Sequence, residues 1–172
     1  MHEIVRLSPN DLLDSVRELA EVLTDTVAGG NSLGFLAPLD PAAAEVWWAA
    51  QAPAMKDGHL LVLAARAEGR IVGTVQLKRG QFANGRHRAD VNKLLVHRSA
   101  RGQGLGRALL AAAERLAAEE GVTLLVLDTE TGSPAERLYR ANGWTEVGVI
   151  PDFAADAAGV LRPTTIFYKS VG

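Results

Sequence analysis

The chain contains no cysteine. That one absence removes disulfides, thiolate metal ligands and a cysteine nucleophile. Eighteen Lys and Arg stand against twenty Asp and Glu, leaving a formal charge of −2. The strongly basic face that nucleic acid demands is therefore not expected. No apolar run reaches the roughly 18 residues of a membrane-spanning helix. The opening Met1-His2-Glu3-Ile4-Val5-Arg6-Leu7 carries an acid and no long apolar stretch, so it does not read as a secretory signal. A cytoplasmic location is the expectation. His2, His59, His87 and His97 lack metal-ligand spacing, and no metal is expected. There is no internal repeat and no linker. What remains, 172 residues with 48% hydrophobic and 22% charged, predicts one soluble domain over residues 1–172 with a sizeable core.

Local signals divide the chain into alternating elements. Residues 3–7 read as a first strand. Ser8-Pro9-Asn10-Asp11 opens a helix, with Ser8 as cap, Pro9 in the first turn and Asp11 suited to the N-terminal dipole. Leu12, Val16, Leu19, Ala20 and Leu23 give that helix one apolar face down to about Val27. Residues 29–39 form a loop whose Leu33, Phe35 and Leu36 anchor it to the core. Asp40-Pro41 starts a second helix carrying Trp47 and Trp48. Adjacent tryptophans on a helix point in different directions, so at least one is expected near an edge or groove. Residues 59–67 and 71–78 read as a hairpin, and residues 79–87 as a polar loop. Residues 88–96 form a central strand, and after a glycine-rich turn a helix runs to about Glu120, ended by Gly121. Residues 122–127 are nearly all apolar, as in a strand covered on both faces. The strand–helix–strand crossover makes this strand parallel to the central one. Ser133-Pro134-Ala135-Glu136 predicts a capping box at the start of a further helix, which Asn142-Gly143 stops. Residues 144–150 and 164–169 are the last strands, with residues 151–163 as a loop. The order β-α-α-β-β-β-α-β-α-β-β predicts an α/β fold: a mixed sheet of about seven strands with helices on both faces.

The stretch with the most chemistry is Arg101-Gly102-Gln103-Gly104-Leu105-Gly106-Arg107, between the central strand and its helix. Backbone N–H groups at a helix start lack intrahelical partners. Glycines leave them open to a large anion, and the helix dipole favours one. The result is an anion site, most simply for phosphate. A dinucleotide fingerprint counted from Gly102 fails because Arg107 stands where the third glycine belongs, and a Walker-type Gly-Lys-Ser/Thr ending is absent.

The whole stretch, Lys93-Leu-Leu-Val-His-Arg-Ser-Ala-Arg-Gly-Gln-Gly-Leu-Gly-Arg-Ala-Leu-Leu110, resembles the acetyl-coenzyme-A motif of the GNAT N-acetyltransferase superfamily. The Arg/Gln-x-x-Gly-x-Gly/Ala core stands as Arg101-x-x-Gly104-x-Gly106. A second family motif, a tyrosine before Gly-aromatic, stands as Leu138-Tyr139-Arg-Ala-Asn-Gly143-Trp144. Within the superfamily, the chain most resembles the tabtoxin-resistance acetyltransferases. The supporting stretches are residues 26–35, 88–91, 127–130 and 163–169.

The resemblance implies a single GNAT domain, acetyl-CoA as co-substrate and a small-molecule primary amine as acceptor, amino-acid-like or a toxin or antibiotic. It implies that Arg101, Gly102, Gln103, Gly104, Leu105, Gly106 and Arg107 hold the pyrophosphate. It further implies that Leu95 and Val96 pair with the pantetheine arm, with the Leu95 N–H on the thioester oxygen. An amine attacks only when neutral, yet its pKa is about 8 to 10.4, so a base assists. Asp128 and Asp90, on the two parallel strands, are the expected bases, with Glu130 a third carboxylate at the acceptor. Tyr139, with an ordinary pKa of about 10, is the expected proton donor to the leaving thiolate. Phe35, Trp47, Trp48 and Phe153 are the expected acceptor-pocket side chains, from the 29–39 loop, the second helix and the 151–162 loop. The alternatives are a non-catalytic CoA-binding or acyl-sensing module, and an acetyltransferase for protein N-termini or lysines. Monomer and homodimer are equally compatible with the residues.

Overall fold

The computed structural model of the protein describes residues 2–31 and 33–172. Seven strands form one sheet: β1 (His2–Arg6), β2 (Leu60–Ala67), β3 (Arg70–Arg79), β4 (Arg88–Val96), β5 (Leu124–Glu130), β6 (Thr145–Ala155) and β7 (Leu161–Ser170). Their order across the sheet is β1-β2-β3-β4-β5-β7-β6. All neighbours are antiparallel except β4 and β5, the parallel pair predicted from the crossover.

Strand β2 shows why the sheet needs cover on both faces. Leu61, Leu63 and Ala65 enter one core, and Leu60, Val62 and Ala64 enter the other. Successive side chains alternate, so the unbroken apolar run Leu60–Ala65 buries both sides. On one face lies α5 (Leu105–Glu119), contributing Leu105, Leu109, Leu110, Ala113, Leu116 and Ala117. It packs close because β3 carries Gly73. A methyl there would sit 3.0 Å from Leu109 Cδ1 and 3.0 Å from the Leu95 carbonyl oxygen. Helix α6 (Pro134–Ala141) adds Tyr139 to the same core. On the other face lie α1 (Pro9–Asp14), α2 (Val16–Ala28), α3 (Pro41–Ala49) and α4 (Ala52–Lys56), around fully buried Leu12, Leu19, Leu23 and Trp48.

Four expectations change. Leu33 and Phe35 pack on the core as expected, but Leu36 of the same loop is exposed. The first helix is two, because the chain turns at Ser15 (φ −107°, ψ 8°). Ser8 and Asp11 nevertheless form a reciprocal capping box. At α6 the serine caps as expected, with Glu136 N–H donating to Ser133 Oγ at 3.1 Å. The reciprocal donor is Gly132 N–H, 2.7 Å from Glu136 Oε2, rather than the Ser133 N–H. Residues 151–163 are not a free loop. β6 runs to Ala155, β7 starts at Leu161, and Asp156 closes the turn. Asp156 Oδ1 accepts the Ala158 and Val160 N–H groups, and Oδ2 accepts Arg162 Nε at 2.9 Å. Those donors, with Val160 first, hold its carboxyl below the ordinary 3.8.

Candidate active site

The site begins where the parallel pair fails. β4 and β5 pair at only three positions, Arg88 with Leu124, Ala89 with Leu125 and Asp90 with Val126. Beyond Asp90 the strands part. The cause is visible on β4: Asn92 pairs with Gln76 and Leu95 with Thr74, so Lys93 and Leu94 both face the single residue Val75. This is a β-bulge, which bends the strand and re-aims the residues beyond it. Lys93 carries its left-handed backbone angle, φ +49°. Thr74, fully buried on β3, donates its hydroxyl to the Lys93 carbonyl at 3.0 Å and pins the bulge in place.

The bulge corrects the expected pairing residues. Neighbouring residues on a strand turn their backbone groups to opposite sides. Leu95 and Val96 therefore do not serve the gap together. Gly80 N–H donates to the Arg88 carbonyl, and His97 N–H to the Val72 carbonyl. Even-numbered residues thus face β3 before the bulge, and odd-numbered ones after it. Leu95 turns its backbone groups toward β3, and its side chain is buried in the core beneath α1–α4. Leu94 and Val96 face the gap and line it. An uninterrupted count of two from Ala89 lands on Leu95; the extra residue moves the pairing edge to Leu94. Two polar residues in succession, Asn92-Lys93, are the sequence signal for that slip.

A cavity of about 380 Å³ runs from Leu94 and Val96 along the glycine-rich turn to Arg107, with α6 as its other wall. Gly104 occupies the cap position of α5 in a left-handed conformation (φ +75°), and no side chain caps this helix. Ser8, Asp40 and Ser133 do cap α1, α3 and α6. The first-turn donors of α5 are therefore open to an outside anion. The cradle fits a pyrophosphate, since Gly102, Gly104 and Gly106 line it together with exposed Arg107. Leu105 instead turns its side chain into the core. Gln103 points away, its Oε1 2.9 Å from His2 Nε2. Arg101 turns back on the strand, its Nε donating to the Val96 carbonyl at 2.9 Å. Its guanidinium also approaches Asp25 of α2 at 3.7 Å. Asp25 further accepts the Arg98 backbone N–H at 2.9 Å and pairs with the Arg98 guanidinium. That largely buried carboxylate, missed in the sequence, braces the whole turn.

The gap continues into a second cavity of about 350 Å³, sharing Thr26, Asn31, Leu94 and Ala135 with the first. Asp128, Glu130 and Tyr139 line it together. Asp90 does not: it is exposed, at the last paired position before the strands part. Burial, and secondarily the charge of Asp128, pushes the Tyr139 phenol well above its ordinary 10.0. Its ring packs 5.7 Å from Trp144 and 6.0 Å from Phe167. Phe153, from the β6–β7 hairpin, reaches this cavity, with Asn31, Leu33 and Gly34 from the 29–39 segment. Phe35 and Trp47 stack edge to face at 5.4 Å beside it, while Trp48 is fully buried. The Lys93 ammonium sits 5.3 Å from the Trp47 ring and 5.7 Å from Phe35, and donates to the Leu33 carbonyl at 3.0 Å. Burial draws its pKa below 10.5, opposed by Asp128. Among the described residues, no group of three or more His, Asp and Glu side chains is placed to hold a metal, and no helix is long and apolar enough to cross a membrane.

A split parallel pair leading from an open helix N-terminus to a carboxylate and a buried tyrosine is an arrangement that can take an anionic ligand along the gap and a proton transfer at its end. The sequence profile of the acetyltransferase (GNAT) family matches residues 31–144, and the chain belongs to that family. Membership supports acetyl-CoA-dependent acetyl transfer in general terms. Among solved structures, the chain is similar to a ribosomal-protein-alanine N-acetyltransferase from Brucella melitensis (26% identity, TM-score 0.76, covering 98% of this chain and 99% of that one). It is also similar to a GNAT-family acetyltransferase from Streptococcus pneumoniae (22%, 0.77, covering 99% and 100%). A third similar structure is yncA of Salmonella typhimurium, solved with its cofactor acetyl-CoA (20%, 0.79, covering 100% and 95%). The last two, at their low identity, speak to the fold.

Proposed function

We propose that the protein transfers an acetyl group from acetyl-CoA to the primary amine of a small, amino-acid-like acceptor. The observation that carries this is the meeting of Asp128 and Tyr139 in one cavity, at the end of a gap that starts from the open N-terminus of α5. Bound acetyl-CoA supplies an activated acetyl thioester. The first-turn N–H groups of α5 hold its phosphates, with Arg107 adding charge. Leu94 and Val96 offer the backbone edge for the arm, and the Leu94 N–H takes the oxyanion-stabilising place first expected of Leu95. Asp128 accepts the proton that the amine loses as its nitrogen bonds to the acetyl carbon. Tyr139 donates a proton to the sulfur as the carbon–sulfur bond breaks. Its raised pKa keeps it protonated and ready at neutral pH.

The stretches resembling the tabtoxin-resistance acetyltransferases support an acceptor with an amino-acid core. The hairpin and the 29–39 segment bound the acceptor cavity, which suits a small molecule. A second reading, a protein N-terminus as acceptor, is favoured by the similarity to the Brucella melitensis enzyme. The test is incubation with acetyl-CoA and a mixture of amino acids, amino-acid toxin analogues, simple amines and short peptides, with products read by mass spectrometry. A mass gain of one acetyl group on small amino acids is expected. Acetylation of the peptides alone would replace the first reading with the second. No acetylated product, with acetyl-CoA still bound, would favour a sensing module.

A further inference from the structure

Lys93 and Arg162 both line the cavity that holds Asp128 and Tyr139. Lys93 is engaged: its ammonium donates to the Leu33 carbonyl at 3.0 Å and lies against the Trp47 and Phe35 rings. Arg162 keeps most of its donors. Its Nε donates to Asp156 Oδ2 at 2.9 Å, and among the described residues its two Nη groups have no hydrogen-bond partner. Asp156 is itself fixed by the Ala158 and Val160 N–H groups, so the β6–β7 turn sets the place of the guanidinium. A guanidinium carries five N–H donors in a planar fork. With one on Asp156, the end formed by the two Nη groups remains open to a planar anion in two parallel bonds. The opposite charge stands along the same wall. Across β5 and β7, Asp128 pairs with Ile166 and Glu130 with Thr164. Opposed residues share a face of the sheet, and a strand returns to that face every second residue. Asp128, Glu130 and Arg162 therefore follow one another on one face. At the rise of a strand, the Arg162 backbone lies about 7 Å beyond the level of Glu130 and about 14 Å beyond that of Asp128. Neither carboxylate accepts a hydrogen bond from a described residue.

We propose that Arg162 determines acceptor specificity: the open Nη end of its guanidinium binds a carboxylate of the acceptor while the acceptor amine lies at Asp128, and Asp156 positions the guanidinium. The inference rests on the proposed acetyl transfer and narrows its substrate class to zwitterions whose amine and carboxylate are joined through a short carbon chain. Both groups of such a molecule stay in one cavity and on one face of the sheet. The orientation follows from burial. The Arg162 side chain is 48% exposed, so the carboxylate end is the mouth. Tyr139 is buried, so the amine end is the inner one, where the acetyl group is delivered. Glu130 stands between the two ends and repels a carboxylate entering the wrong way round. Arg162 does not line the cavity along the glycine-rich turn, so it selects the acceptor independently of donor binding.

The experiment measures kcat/KM for L-amino acids and for the matching amides, which keep the amine and lose the negative charge, in wild type, Arg162→Gln and Arg162→Lys. The quantity read is the acid-to-amide ratio in each protein. It is expected to fall about tenfold in Arg162→Gln, the low end for a charge-assisted hydrogen bond because the side chain is half open to water. The fall comes through KM of the acid, and Arg162→Lys recovers part of it by restoring the charge without the fork. A hairpin merely loosened by the substitution lowers acid and amide alike and leaves the ratio unchanged. An unchanged ratio in Arg162→Gln therefore overturns the assignment while leaving acetyl transfer intact. As a readout apart from turnover, the same acids and amides are titrated by calorimetry into protein saturated with CoA, where no transfer can occur. Wild type is expected to bind the acids more tightly, and Arg162→Gln to bind both alike. Equal affinity for acid and amide in wild type overturns the assignment too. Tighter binding of the acids, lost in Arg162→Gln, in a protein that acetylates no amine would uphold the recognition and sink the transferase reading instead.

Discussion

Replacing Tyr139 with phenylalanine removes one oxygen from a side chain whose ring is otherwise held by the core. The residue is 6% exposed. Its contacts with Trp144 and Phe167 involve the ring, and phenylalanine preserves them. The variant should therefore fold, with stability changed by less than about 1 kcal/mol. The loss belongs to chemistry. A positioned general acid contributes about 10²- to 10⁴-fold, and at 1.36 kcal/mol per decade this corresponds to about 3–5 kcal/mol of barrier. The leaving thiolate is a moderately good leaving group with an ordinary pKa of about 8.5, so the lower end, about 10²-fold in kcat, is expected. In the proposed reading acetyl-CoA is held by the turn at α5 and the β4 edge, so its KM should stay within about twofold. The assay is thiol-coupled release of CoA with a good acceptor, read as kcat and KM across pH 6 to 10. Because burial and Asp128 raise the phenol above 10.0, Tyr139 stays protonated over this range. Wild type should therefore show no alkaline limb due to this residue below about pH 10. A kcat within threefold of wild type refutes the assignment. So does an alkaline limb near pH 8–9 that disappears in the variant, because it would mean the phenol titrates far below its proposed range.

Two other perturbations probe the glycine-rich turn and the anchoring of α6. Gly104→Val places a β-branched side chain at φ +75°, a backbone conformation costing an L-residue about 1–2 kcal/mol, and sets it over the open donors of α5. Affinity for acetyl-CoA, measured by calorimetry, should fall at least about tenfold; wild-type affinity would mean the turn is not the phosphate site. Glu136 is 7% exposed. Burial works to raise its pKa, but hydrogen bonds from Thr165, Gly132 and Arg140 overcome this and hold it below 4.5. A lowered folded-state pKa stabilises above the unfolded value and is lost as pH falls through the folded one. Glu136→Gln should therefore cost about 1–2 kcal/mol at pH 7, read by urea denaturation, and the difference from wild type should shrink below about pH 4. A gap constant from pH 7 to pH 3 would show that the charge is not what matters.

Much of the architecture and half of the site are written in local sequence. Helix caps at Ser8, Asp40 and Ser133, stops at Gly121 and Gly143, and the two-sided apolar run of β2 depend on residues within a few positions of each other. The glycine-rich turn belongs to the same class, since its anion site comes from backbone donors at one helix end and needs no distant partner. Tyr139 was legible through its spacing to Gly143 and Trp144. The choice between Asp128 and Asp90 was not, because it depends on where β4 and β5 part. That point is set by a bulge held by Thr74 from the neighbouring strand. The same bulge moved the pairing edge from Leu95 to Leu94 and put Lys93 between the aromatic rings and the acceptor cavity. Residues 151–163 became a hairpin because Asp156 gathers the Ala158, Val160 and Arg162 donors, a closure that composition alone does not announce. The turn by itself defined only an anion site, as a local property of one helix terminus, and the second motif around Tyr139 was needed to read it as a place for acetyl-CoA. Which acid shares a cavity with the tyrosine, and which backbone groups face the gap, were decided only by the tertiary fold, because a one-residue slip in a strand reverses the direction of every group beyond it.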